Sequence, residues 1–179
     1  MQNSVSLPVP TDDFLAFRVA NFEEVSDWFT MVANQTTFTL PPEFGVELAA
    51  APVFGESLRL LGSQIDQPTI RAGETFTFLT TWETTAVFPH PLVAFVHLTP
   101  DGAAIFGQQD WLDVRVSTLQ IGDRFVQQHT LTVQPDAPVG EYHLQLGLYR
   151  PDTGERLLIG LDNGQTADRV WVGDVRIGE

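Results

Sequence analysis

The side chains best equipped for chemistry in this 179-residue chain are four histidines, His90, His97, His129 and His143, set among 23 acidic residues. Imidazole beside carboxylate is the usual material of proton transfer and of metal binding. The spacing supports neither. The histidines are scattered over β-like segments, and no His-Glu-x-x-His pair, Gly-x-Ser-x-Gly elbow, Walker loop or glycine-rich dinucleotide turn occurs. With no cysteine, disulfides, thiolate metal sites and cysteine catalysis are excluded. Folding could bring two of the many acids together as a glycosidase pair, but the sequence singles none out. No catalytic residue, metal ligand set or cofactor is therefore assigned. Asp162, Asn163, Asp168 and Asp152 could offer oxygens to calcium. However, "DNGQTAD" lacks the spacing and terminal glutamate of an EF-hand and reads as an ordinary loop.

Recognition is the other chemistry these residues could perform. The stretch "FVHLTPDGAAIFGQQDW" places a histidine inside an apolar strand, just before a Pro-Asp-Gly turn. With Ala94, Val96 and Leu98 inward, Phe95 and His97 face outward. In "EYHLQLGLYR", Tyr142, Leu144, Leu146 and Leu148 point one way, and His143, Gln145, Gly147 and Tyr149 the other. If the two strands are neighbours, Phe95, His97, His143, Gln145 and Tyr149 share an outer face. Gly147 would leave a shallow gap there, and Gln109 and Trp111 would flank it. Aromatic rings with amide and imidazole tips suit a sugar, whose apolar ring face stacks while its hydroxyls are hydrogen-bonded. Two plainer readings stand beside this one: a face covered by the N-terminal segment, and an ordinary solvated strand.

The elements that must position these groups are mostly strands. From Gly55 onward, short runs rich in Val, Phe, Thr and Leu alternate with turn residues. The expected strands are 57–65, 74–83, 92–99, 103–110, 124–133, 141–150, 155–160 and 169–177. "TPDGAA" and "RPDTGER" are hairpin turns, with Gly102 and Gly154 supplying backbone angles that a Cβ resists. Alternation puts Phe76, Phe78 and Trp82 in the core, and Phe125, His129, Leu131 and Val133 on one face, with His129 a semi-buried, satisfied histidine. "PDAPVGEYHL" leads through Pro138 and Gly140 into Tyr142 as the first core position of its strand. That is the pattern of the tyrosine corner of immunoglobulin-like sandwiches. The expected fold is thus all-β, an immunoglobulin-like two-sheet sandwich over 54–179.

Residues 1–53 read as an appendage. In "NFEEVSDWFTMVAN", Val25, Trp28, Phe29 and Val32 fall on one face of an amphipathic helix, 22–33. Asn21 and Glu24 are placed as a capping box. The apolar stripe should be buried against the sandwich or a second molecule. Short extended pieces broken by Pro41, Pro42 and Pro52 follow.

Formal charge is −14, from nine basic and 23 acidic residues. That disfavours nucleic acid and anionic lipid as partners. No run approaches the roughly 18 apolar residues of a membrane span, so direct membrane insertion of this segment is not expected. The start "MQNSVSLPVPTDDF" lacks the basic and apolar regions of a signal peptide, which suggests a cytosolic chain or a piece excised from a longer one.

Three stretches together carry a resemblance: "LRLLGSQIDQPTIRAGETFTFLTTWE", "FVHLTPDGAAIFGQQD" and "DAPVGEYHLQLGLYRPDTGERL". Between Phe54 and Ile177 the chain resembles β-sandwich domains near the C-terminus of bacterial multi-spanning glycosyltransferase-like proteins and of related exported proteins. It is more loosely similar to the carbohydrate-binding C-terminal domain of O-antigen transporter ATPases. The resemblance implies an extracytoplasmic accessory domain of the cell envelope, with no catalytic residues to carry over. Two readings follow: a non-catalytic accessory domain recognising glycan, or a structural or protein-interaction sandwich packing on a membrane-anchored partner domain. A hydrolase is the third.

Overall fold

The structure is a computed structural model, and it describes residues 36–48, 50–179 and the backbone of 16–19. The expected helix 22–33 with its Val25, Trp28, Phe29 and Val32 lies outside the described residues. The strands are β1 (Ala16–Val19), β2 (Val53–Phe54), β3 (Leu58–Ile65), β4 (Thr69–Arg71), β5 (Thr75–Thr84) and β6 (Val93–Thr99). They continue with β7 (Gly107–Asp110), β8 (Arg124–Thr132), β9 (Gly140–Tyr149), β10 (Ile159–Gly160), β11 (Thr166–Ala167) and β12 (Val170–Gly178). Two sheets form, in the orders β1-β8-β5-β3-β2-β10-β11 and β4-β12-β9-β6-β7.

This is an immunoglobulin-like sandwich. In the lettering of that fold, β3, β5 and β8 are strands A, B and E, while β6, β7, β9 and β12 are C, C′, F and G. The first strand switches sheets: after Pro68 it continues as β4, parallel to β12, with Arg176 N–H donating to the Pro68 carbonyl at 2.7 Å.

Two expected strands are shorter than the alternation suggested. Of 103–110 only Gly107–Asp110 pairs, because Asp101 captures the backbone N–H groups of Ala103 and Ala104 and turns the chain. Of 155–160 only Ile159–Gly160 forms a strand. Arg156 bridges Tyr149 in one sheet before Ile159 pairs Phe54 in the other, so the segment crosses between sheets.

The inner faces follow the period-two pattern. Leu58, Leu60, Phe76, Phe78, Trp82, Phe125 and Leu131 meet Ala94, Val96, Leu98, Leu144, Leu146, Leu148, Val170 and Val172, all buried. Phe38 and Leu40, from the stretch before β2, join the same core. Tyr142 is buried with its ring edge-on to Phe106 at 5.6 Å, and its hydroxyl donates to the Pro138 carbonyl at 2.9 Å. That is the tyrosine corner.

His129 differs from expectation. It is fully buried rather than semi-buried, stacked on Phe78 at 4.7 Å. Its Nε2 lies 2.9 Å from Thr80 Oγ1, which also accepts from Trp82 Nε1 at 2.8 Å. Nδ1 is buried without a hydrogen-bond partner among the described residues, so the ring is only half satisfied. Alternation could report the face, but not the depth.

Two expectations follow. Tyr142→Phe should lower stability by ~1 kcal/mol in chemical denaturation, the net value of one hydrogen bond; no loss would mean that the corner bond contributes nothing. Burial lowers the His129 pKa from 6.5 to about 3. Between those values the unfolded chain binds the proton and the folded one does not, so stability falls as pH falls through this window. Relative to His129→Gln, the wild type should lose about 2 kcal/mol between pH 7 and pH 5. Parallel stability curves over that range would contradict this.

Candidate functional site

The outer face of the β4-β12-β9-β6-β7 sheet carries the residues singled out for recognition, and antiparallel register sets them in rows. Phe95 sits between Asp110 of β7 and Gly147 of β9, and His97 between Gln108 and Gln145. Tyr149 stands opposite Val93.

The expected gap over Gly147 is filled. A Cβ there would lie 2.3 Å from Phe95 Cζ and 2.5 Å from the Asp168 carbonyl oxygen. The Phe95 ring thus folds over bare backbone and, although on the outer face, is only 3% exposed. The Arg156 guanidinium lies 4.5 Å from the centre of the ring. Arg156 is held by Asp168 at 2.5 Å; Asp168 also binds Arg169, which reaches Glu43 at 2.5 Å and lies over the Phe44 ring. Burial pushes the Asp168 carboxyl up, but the two arginines outweigh it and hold the pKa below the ordinary value.

Gln145 is 4% exposed, not a surface group. A Cβ built on Gly102 would meet Gln145 Oε1 at 3.8 Å and Glu43 Oε1 at 3.9 Å, so the β6–β7 turn and the Pro42–Phe44 turn crowd over it. His143 is engaged as well: it stacks on Trp171 at 3.8 Å, nearly parallel, with Nδ1 2.7 Å from Asp174 Oδ1.

Gln109 and Trp111 do not flank this face. Gln109 pairs Val96 on the inward parity, and its Oε1 accepts the Thr130 N–H at 3.0 Å, tying β7 to the other sheet. The length of the β6–β7 loop sets this register, and a one-residue slip would have reversed it. Trp111 lies just beyond β7 and is 55% exposed, its indole N–H donating to Asp113 Oδ1 at 2.5 Å. Asp113 is itself fixed by the buried Gln127, whose Nε2 donates to it at 2.8 Å.

What remains open is a depression of about 240 Å³ lined by Phe95, His97, Asp110, Tyr149, Gly154 and Arg156. Of the seven residues proposed from sequence, it gathers three: Phe95 as floor, His97 and Tyr149 as walls. Asp110, Gly154 and Arg156 are additions. Asp110 faces outward because the register turns Gln109 inward, the reverse of the expected parity, whereas Arg156 arrives by the sheet crossing and left no periodic signal. Burial lowers the His97 pKa against the pull of Asp110, with Arg156 and Arg169 adding to the lowering. Tyr149 donates to Asp110 Oδ2 at 3.3 Å; burial, then the Asp110 charge, raises its pKa. At neutral pH the walls are thus an uncharged imidazole and an uncharged phenol. Of the loop oxygens that could serve calcium, Asp152 binds Arg150, Asp168 binds two arginines and Asn163 Oδ1 accepts the Gln165 N–H.

No protein-family model matches the chain, and no curated protein does. Among solved structures, it is similar to the CARDB domain of a Pyrococcus furiosus protein, determined in complex with di-metal ions. Identity is 14%, the alignment covers 68% of this chain and 94% of that one, and the TM-score is 0.36. The immunoglobulin-like assignment is carried here by strand order and the tyrosine corner.

The floor of the depression depends on a missing side chain. Gly147→Ala should displace Phe95 and cost ~1–3 kcal/mol, as overpacking does elsewhere. Calorimetric melting tests this, and an unchanged transition would show that Phe95 is free to move.

Proposed function

We propose that the chain is a non-catalytic, extracytoplasmic accessory domain of a bacterial cell-envelope system, and that it holds one residue of a glycan between Tyr149 and His97. One observation carries the reading: a phenol, an imidazole, a carboxylate and a guanidinium converge on a small open depression built on a rigid sheet. A sugar presents an apolar ring face for stacking and a rim of hydroxyls for such polar tips. The volume lies below the ~300–1,000 Å³ of pockets for drug-sized ligands, which suits a single sugar unit of a longer chain. The resemblance to domains of multi-spanning glycosyltransferase-like proteins supports the setting. No helix of the described residues is long and apolar enough to cross a membrane.

A second reading has its own observation. Trp111 is a large exposed aromatic with its orientation locked through Asp113 and Gln127, as suits an anchor for a protein surface. A sandwich docking on a membrane-anchored partner would use it.

Glycan-array screening followed by calorimetry tests the choice. Affinity should be modest, ~0.1–1 mM, or about 4–5.5 kcal/mol. His97→Ala and Tyr149→Ala should weaken binding with little change in melting temperature, since truncating a stacked ring removes its contact while these partly exposed groups add little to the core. Absence of binding at millimolar sugar would remove the glycan reading and leave the Trp111 surface in first place.

A further inference from the structure

The depression also has a charge pattern that narrows its ligand. Among the described residues, the basic groups around it are already committed: Arg156 to Asp168, Arg169 to Asp168 and Glu43, Arg150 to Asp152 and Glu155. These four carboxylates and three arginines leave no spare positive charge. Asp110 stands apart from that network. It is exposed, its contact is the neutral Tyr149 hydroxyl at 3.3 Å, and no basic side chain of the described residues lies within ion-pair distance of it. The floor beneath it, Phe95, is already covered by Arg156, so the ring face left for a ligand is that of Tyr149.

We infer that the sugar held here carries a free amine, a hexosamine unit whose ammonium sits between the Asp110 carboxylate and the Tyr149 ring. The inference rests on the glycan reading above and adds the group that is recognised. An ammonium satisfies both neighbours, by ion pairing with the carboxylate and by attraction to the negative face of the phenol. Hydroxyls of the same sugar remain for His97. The formal charge of −14 draws a cationic glycan toward the protein and repels an anionic one. An acidic sugar would instead need a free arginine at this site, and both arginines that act on His97 are held by Asp168.

The test is calorimetry on the full chain with three tetramers: β-1,4-linked glucosamine, its N-acetylated form and cellotetraose. The glucosamine tetramer should bind about fivefold more tightly than either of the others at low salt. The advantage should shrink as sodium chloride is raised, because exposed ion pairs are screened. Asp110→Asn should abolish the preference, so that within that variant the glucosamine tetramer binds no more tightly than the neutral tetramers. Asp66→Asn removes the same charge on the β3–β4 turn, beside the opposite edge strand of the sheet, and should leave the preference intact. Equal affinity for all three tetramers would overturn the amine and spare the glycan reading. No binding of any would overturn both. A preference that survives Asp110→Asn, or falls equally in Asp66→Asn, would make the attraction a general effect of net charge. A tetralysine peptide binding as tightly, with the same dependence on Asp110, would keep the ammonium but overturn the sugar.

Discussion

The outer face of this sandwich is organised by one close contact, a phenylalanine ring lying where a side chain at position 147 would have to be. Glycine at that site lets Phe95 fold flat over β9, and the flat ring gives the Arg156 guanidinium a surface to rest on. Once Arg156 is placed, Asp168 is drawn between it and Arg169, and Arg169 in turn reaches Glu43 in the stretch before β2. A contact between two strands is thereby extended into a chain of alternating charges that fastens the sheet crossing and the Pro42–Phe44 turn to one face. The open depression is the remainder of that face left uncovered. It is shaped by what occupies the rest.

The interior applies the opposite economy. Its centre is close-packed hydrocarbon, crossed by a polar chain of Trp82, Thr80 and His129. Burial of this kind favours the neutral imidazole strongly, because a charged ring would lose its hydration without gaining a partner. His129 and His97 therefore have different roles despite similar sequence surroundings. His129 is part of the packing, while His97, half open and beside a carboxylate, remains available to a ligand.

Much of the architecture could be read from local pattern. The alternation in "EYHLQLGLYR" placed Tyr142, Leu144, Leu146 and Leu148 inward as found, and Pro138-Val-Gly140-Glu-Tyr142 marked the corner. The site was less legible, for reasons particular to each residue. Gln109 depended on the parity of a loop, which alternation within one strand cannot supply. Phe95 and Gln145 were correctly turned outward, yet an outward direction does not mean exposure when a distant turn or an arginine lies above. Arg156 reaches the face only because the chain leaves β9 early to cross to Phe54. Such placements belong to tertiary structure and leave no trace in the spacing of neighbours.

The sheet switch at Pro68 has a mechanical side. Because β3 runs in one sheet and β4, three residues further on, is sewn parallel to β12 in the other, a single short run of chain is stitched to both layers. Parallel partners pulled along their common axis in opposite senses must break their hydrogen bonds together, in shear, whereas a hairpin pulled at its ends unzips bond by bond. Tension transmitted along β12 is thus shared across Thr69, Ile70 and Arg71 at once, and passes through them into the opposing sheet. That stitch gives a resistance to force that equilibrium stability alone would not report.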